Sequence, residues 1–431
     1  MGRLVGAGVA LVLGVALPGA SAPPSQPSEP RYEQNIPLDH PAIRYPGDAP
    51  EDAVSRVAAR LARGDLRLDS RAGASVLPSL LRALDIHADS QLLVFSKTSV
   101  QHASIAPRRP RAVYFGDEVA VAVVPHTGTI ELAAMDPRQG AMFYVLNGVT
   151  RPAPSITRRD TCLQCHHGVA TMGVPGFFVS SVYPSAGGTP EREGAIIADH
   201  RTPFAERWGG WYVTGTHGAV PHRGNAVAAN PAEPTVLDVG GARNLTSLAG
   251  RFDLGDYLEP TSDLVALMTF EHQTQGLNYL LRLGWEARAA AHGGPSLPLP
   301  HTPLDARVDE VVRYLLFVDE APFSASLRGV SSFTRTFSDR GPRDGRGRSL
   351  RDFDLDRRLF RYPLSYLVYT ATFDALPDDA RARVYQRLYD VLTGQDRGPE
   401  FAALAAADRT AVLEILRETK AGLPAYWRVG R

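Results

Sequence analysis

Apolar residues recur every third or fourth position in some stretches of this chain and every second position in others, and the two periods predict its elements. Helical spacing predicts helices over 53–61 and 75–84. From Gln91 the period falls to two. Short β-rich runs at 92–95, 112–115, 119–124, 129–133 and 141–146, separated by Pro, Gly and Asp, predict a meander that buries one face. Repeated Gly and Pro over 169–176 disfavour a long helix there. Residues 177–183 predict a strand and 211–214 a further short element. Helical spacing returns over 264–283, with a broad apolar face, and over 306–318. Three more helices are expected at 364–376, 378–392 and 408–419, with Pro377 and then Asp378 and Asp379 supplying a break and an acidic restart.

The segments between these elements divide the chain. Residues 23–50 are rich in Pro, Asp, Glu and Gly and predict an extended arm that touches the body only in places. Residues 287–300 are low in complexity and are expected to interrupt the packing. The charged run Arg340-Gly341-Pro342-Arg343-Asp344-Gly345 reads as a solvated loop. The expected fold is α+β: a β-rich central body within a mixed region at 51–286, followed by a mainly helical section at 287–431. No repeat period points to a solenoid or propeller.

Met1-Gly2-Arg3 is followed by an apolar stretch over 4–17 and small residues over 19–22, the order of a secretory signal peptide. Ala20-Ser21-Ala22 is the cleavage signature, so 1–22 is expected to be removed and the protein to reach a periplasm or the exterior. The apolar stretch is shorter than the roughly 20 residues a spanning helix needs, and no later stretch of that length lacks charge. No membrane span is therefore expected after signal removal. The 431-residue chain carries 46 basic and 46 acidic residues; loss of Arg3 leaves 45 against 46. That balance gives no general reason to bind nucleic acid, though a local patch can still dock a redox partner.

The chemistry centres on Cys162-Leu163-Gln164-Cys165-His166, which contains the only two cysteines. Thioethers from both sulfurs would fix one haem, and the adjacent histidine would reach its iron. A disulfide uses the same spacing, and zinc could take both cysteines with distant histidines, but neither employs His166 as directly. Through Cys162, Cys165 and His166 the sequence resembles the c-type cytochrome superfamily. The resemblance implies one covalent haem c with His166 as proximal iron ligand. Through 162–176, 207–218 and Glu271-His272-Gln273-Thr274 the chain is also similar to larger secreted bacterial proteins with a single cytochrome c motif and no settled reaction. The β-rich preface and the long tail exceed the roughly 100 residues an isolated haem domain needs.

The far side of the iron decides between electron transfer and small-molecule chemistry. Met172, His217 and His272 are the candidates to face it. His217 leads, because Gly215 and Gly218 permit close backbone approach and Trp211 and Tyr212 offer aromatic cover. His167 is too close to His166 in the chain to reach the opposite face, and suits a propionate or solvent. His102, His126, His200 and His222 remain possible pocket residues. If the site is catalytic, His217 is the expected proton-transferring base and Arg207 the electrostatic helper. Trp208 and Trp211 serve packing, shielding or an electron route. Arg108-Arg109-Pro110-Arg111 forms a solvated turn or a set of propionate partners. The expected function is a periplasmic mono-haem redox protein that passes electrons to a partner protein. The alternatives are a haem oxidoreductase or peroxidase acting on a small molecule, and a haem sensor. There is no phosphate-cradling G-x-x-x-x-G-K-[ST] sequence, and Glu271-His272-Gln273-Thr274-Gln275 lacks the order of a zinc-hydrolase motif.

Overall fold

The computed structural model describes residues 35–69, 75–148, 154–293 and 303–428. The expected signal at 1–22 and the first part of the arm, 23–34, lie outside them. Residues 35–50 form turns without strand or helix, and Ile36, Ile43 and Tyr45 are buried. The arm is thus anchored by three side chains, and the Tyr45 hydroxyl donates to the Ala141 carbonyl at 2.8 Å.

The alternating region folds as its period demands. β1 (Leu92–Val94), β2 (Arg111–Phe115), β3 (Val119–Val123), β4 (Ile130–Asp136), β5 (Gly140–Asn147) and β6 (Ser155–Arg158) pair antiparallel in succession. A later strand, β9 (Trp211–Tyr212), adds to the free edge of β1, giving the sheet order β6-β5-β4-β3-β2-β1-β9. Directly opposed residues share a face. Tyr114, Val121, Leu132 and Tyr144 therefore line one side, all buried. Phe115, Ala120, Ala133 and Phe143 line the other, together with Val113, Ala122, Glu131 and Val145 one row along. The first side is covered by α1 (Ala53–Ala62), whose N-cap Asp52 accepts a hydrogen bond from Tyr144. α2 (Leu77–Ala83) is the second amino-terminal helix. β7 (Val179–Pro184) and β8 (Pro190–Ala198) make a separate hairpin. The Trp211 indole donates to Ser180 O at 2.8 Å, tying that hairpin to β9.

The remaining helices are α3 (Leu163–His166), α4 (Leu264–Ala291), α5 (Leu304–Leu315), α6 (Phe333–Asp339), α7 (Ala371–Asp374), α8 (Asp378–Thr393) and α9 (Ala406–Thr419). α4 is buried on every side from Leu264 to Trp285, with α5, α6, α7 and α8 around it. A helix so enclosed must find partners for its polar side chains inside the protein. Its start is fixed by Asp263: one carboxylate oxygen accepts from the Val265 and Ala266 N–H groups, the other from Val330 and Ser331. Thr214 O accepts from Leu264 N at 2.9 Å. Gly215 makes that crossing possible, since at φ +150° an added Cβ would lie 1.9 Å from Leu264 Cδ2.

The architecture is the expected α+β one, with a β-rich centre and mostly helical C-terminal part; β6, β8 and α6 were not expected, and two of the expected features differ. α4 continues eight residues past 283, into the stretch expected to interrupt packing, so the anticipated junction at 286/287 falls inside a helix. The alanines at 287 and 289–291 favour helix, and Arg288 reaches back to the Arg138 carbonyl at 2.7 Å. The helix expected over 364–376 is instead a 3₁₀ turn, Tyr366–Tyr369, followed by the short α7. Ser365 and Thr370 accept hydrogen bonds from Leu367 N and Phe373 N, and each cap restarts the chain. Among the described residues no helix is long and apolar enough to cross a membrane.

Candidate functional site

A 3₁₀ turn, Asp160–Cys162, runs directly into α3, so Cys162, Cys165 and His166 sit on consecutive tight turns beside β5. Both thiols are free; Cys165 is exposed and Cys162 half-buried. Burial pushes the Cys162 thiol above its ordinary value. The His166 ring lies between Phe143, at 4.8 Å between centroids, and Phe178, at 4.9 Å. Its Nδ1 is 3.0 Å from Gly176 O, and Gly176 N–H donates to His166 O at 2.9 Å. A carbonyl can only accept, so the proton resides on Nδ1. Burial lowers the ring to about 4 against the opposing effect of that carbonyl, so the imidazole is neutral at neutral pH. Nε2 keeps its lone pair and has no hydrogen-bond partner among the described residues. This is the state in which imidazole binds a metal.

The loop that carries Gly176 is held by α4. Gln275, Asn278 and Arg282 follow Glu271 at intervals of four, three and four residues, which places them along one face of the helix. Gln275 Nε2 donates to Ala170 O at 3.3 Å, Arg282 Nη1 to Met172 O at 2.7 Å, and Asn278 bonds both backbone groups of Phe177. Met172 is buried and its backbone is left-handed, at φ 59°. His167 Nε2 lies 3.0 Å from Ile36 O, which ties it to the arm. Near the motif, Arg111 and Glu131 form an ion pair at 2.6 Å, and the charges of both act on the Cys162 thiol and the His166 ring.

A second polar cluster surrounds the first half of α4. Arg207 Nη1 lies 3.5 Å from Glu271 Oε2, both residues are buried, and Arg207 also donates to His200 O and Thr202 O. Burial raises the Glu271 carboxyl to about 7 although Arg207 opposes it. His272 Nδ1 meets His200 Nδ1 at 2.9 Å, and its Nε2 meets Ser365 Oγ at 2.7 Å. Burial lowers His272 to about 3. His217 is equally committed. Its Nδ1 faces Val220 O at 3.0 Å, while its Nε2 accepts from Asn244 N–H at 2.9 Å and faces His222 Nε2 at 3.1 Å. His102 and His126 are exposed, and His126 lies 2.9 Å from Asp256. Trp208 packs on His222 and Phe204, and Arg109 donates to Ser104 O.

The structure thus places Cys162, Cys165 and His166 on adjoining turns, while Arg207 belongs to the polar cluster at Glu271; His217 packs on His222, and His222 on Trp208. Sequence reasoning missed Gly176, Phe143, Phe178 and the polar stripe of α4. The stripe had a signal: amide and charged residues at helical intervals inside an otherwise apolar helix. In comparisons with protein-family models, curated proteins and solved structures, nothing matches this chain.

The donor set fits a covalently held haem. The two thiols are free and reachable, and the neighbouring imidazole is neutral with its outer nitrogen uncommitted. Zinc would require further ligands beside the cysteines, and among the described residues no group of three or more His, Cys, Asp or Glu is placed to hold a metal ion.

Proposed function

We propose that this chain is an exported mono-haem c-type redox protein that passes electrons to and from a partner. Cys162 and Cys165 would hold the group by thioethers and His166 would ligate its iron. When bound, haem supplies one-electron chemistry. The residues of the chain do the rest: Gly176 O holds the Nδ1 proton, Phe143 and Phe178 fix the ring and keep water from its faces, and the stripe of α4 keeps the loop in place. The observation that carries the reading is His166 itself, with Nδ1 engaged, Nε2 uncommitted and two free thiols on the preceding turns.

The test is production with its leader in a host that matures c-type cytochromes. One haem that stays with the chain through denaturation and acid-acetone extraction supports the reading. Cys162→Ser with Cys165→Ser should lose it entirely. A wild-type chain that returns no covalent haem overturns the proposal.

A second reading, an oxidoreductase or peroxidase acting on a small molecule, draws on one observation: the ring nitrogens of His217 and His272 are taken up inside the protein, which leaves neither spare to face the iron. The same contacts remove His217 as the base of that reaction. Exogenous cyanide or imidazole binding the ferric protein readily, with turnover of peroxide, would favour this reading over electron transfer. Ligand binding without turnover or electron exchange would favour a sensor.

A further inference from the structure

We propose that Asn278 is a positioning residue for His166, acting through the peptide unit between Gly176 and Phe177. The inference rests on the reading of His166 as the iron ligand. The Gly176 carbonyl and the Phe177 N–H belong to one planar trans peptide, so they point in opposite directions and turn together. Asn278 Oδ1 accepts from that N–H at 3.2 Å, while the carbonyl on the other side accepts from His166 Nδ1 at 3.0 Å. Fixing one end of the unit aims the other. Asn278 Nδ2 donates to Phe177 O at 2.7 Å and to Gln275 Oε1 at 3.1 Å, which sets the orientation of the carboxamide.

Two further observations make the contact specific. Asn278 is fully buried, where an amide is costly unless its hydrogen bonds are made. Gly176 is the residue that admits it, because a Cβ there would lie 2.1 Å from Asn278 Oδ1. The Pro175 carbonyl is held from the opposite side by Ala141 N at 2.9 Å, so the short strip 175–177 is clamped between β5 and α4.

The consequence is electronic as well as steric. An N–H that donates to Asn278 polarises its own peptide and makes the Gly176 carbonyl a stronger acceptor. A stronger acceptor on Nδ1 makes Nε2 a better donor to a metal and favours ferric over ferrous iron. Asn278 therefore lowers the reduction potential without touching the ligand.

The test uses the full haem-loaded protein. Asn278→Leu should shift the ferric/ferrous ratio at fixed potential roughly tenfold towards ferrous, equivalent to about 59 mV for one electron. It should also speed exchange of the His166 Nδ1 proton, read by NMR, roughly fivefold to tenfold, as expected for weakening one hydrogen bond. Asn278→Asp, which keeps an acceptor for Phe177 N–H, should not raise the potential. Thr269→Val, a buried change on the same helix, should leave both readouts unchanged. If Asn278→Leu does not fold, Asn278→Ala is expected to move both readouts in the same direction. A folded, loaded variant with wild-type potential and wild-type exchange overturns the proposal. If the wild type carries no haem, the reading of the site falls instead, while Nδ1 exchange in the haem-free chain still decides whether Asn278 holds the ring.

Discussion

Two groups of polar side chains along α4 are spent differently. In the first group side chains meet side chains: Glu271 faces Arg207, and His272 bridges His200 and Ser365. In the second, Gln275, Asn278 and Arg282 grip the carbonyls and one N–H of the loop after the cysteines, Arg282 also pairing with Glu286. In the first arrangement both ring nitrogens of His272 have partners, whereas the buried His200 Nε2 has none. The second keeps the loop in shape and leaves His166 Nε2 uncommitted. A histidine becomes a candidate ligand through what its neighbours leave undone, and the count of histidines says little.

The largest expected effect breaks the first group. Above pH 7, where Glu271 carries its charge, Arg207→Met leaves it buried without its countercharge and should cost about 3 to 5 kcal/mol, read from the urea midpoint. Next is a pH effect at Glu271. Its folded value, about 7, lies above the ordinary carboxyl value of 4.5, so the folded state binds the proton more tightly. Stability from this group is present below about 4.5 and is lost as pH rises towards 7. Glu271→Gln should therefore gain on the wild type between those values, by on the order of 3 kcal/mol at pH 8 relative to pH 4.5. His272, lowered to about 3 by burial, runs the other way: its contribution is present above 6.5 and is lost as pH falls towards 3. Urea titrations of His272→Gln and Glu271→Gln across that range should show slopes of opposite sign relative to wild type. Equal slopes would mean the two groups do not titrate as independent members of one cluster.

The smallest effect is expected at His217. His217→Gln should cost about 1 kcal/mol from its lost hydrogen bonds and leave the haem content and ferric spectrum unchanged. A changed ferric spectrum would return His217 to the iron.

Much of the fold was legible because its period was clean. Val119 to Val123 and the start of Ile130 to Asp136 alternate in sequence, and the meander follows, but it is not buried on one face alone: Phe115, Ala122 and Phe143 on the second face are buried too. β6 and β8 were not legible: Ser155–Arg158 is short and polar, and Pro190–Ala198 begins with proline and charge and contains Gly194. The helix expected over 364–376 failed at Ser365 and Thr370, where side-chain caps overrode apolar spacing. At the site, the cysteines and His166 were legible because their chemistry is contained in five consecutive residues. Phe143 and Asn278 were not, because their relation to the motif exists only after β5 and α4 have folded against it. His217 looked available from its glycine-rich surroundings; the partners that occupy it, Asn244 and His222, are settled by loop geometry.

The clamp from α4 also has a meaning in time. Asn278 lies 101 residues after Phe177, and Arg282 lies 110 residues after Met172. Contacts of that sequence separation form only after the intervening chain has been ordered, so the loop after the cysteines takes its final shape late in folding, once α4 is in place.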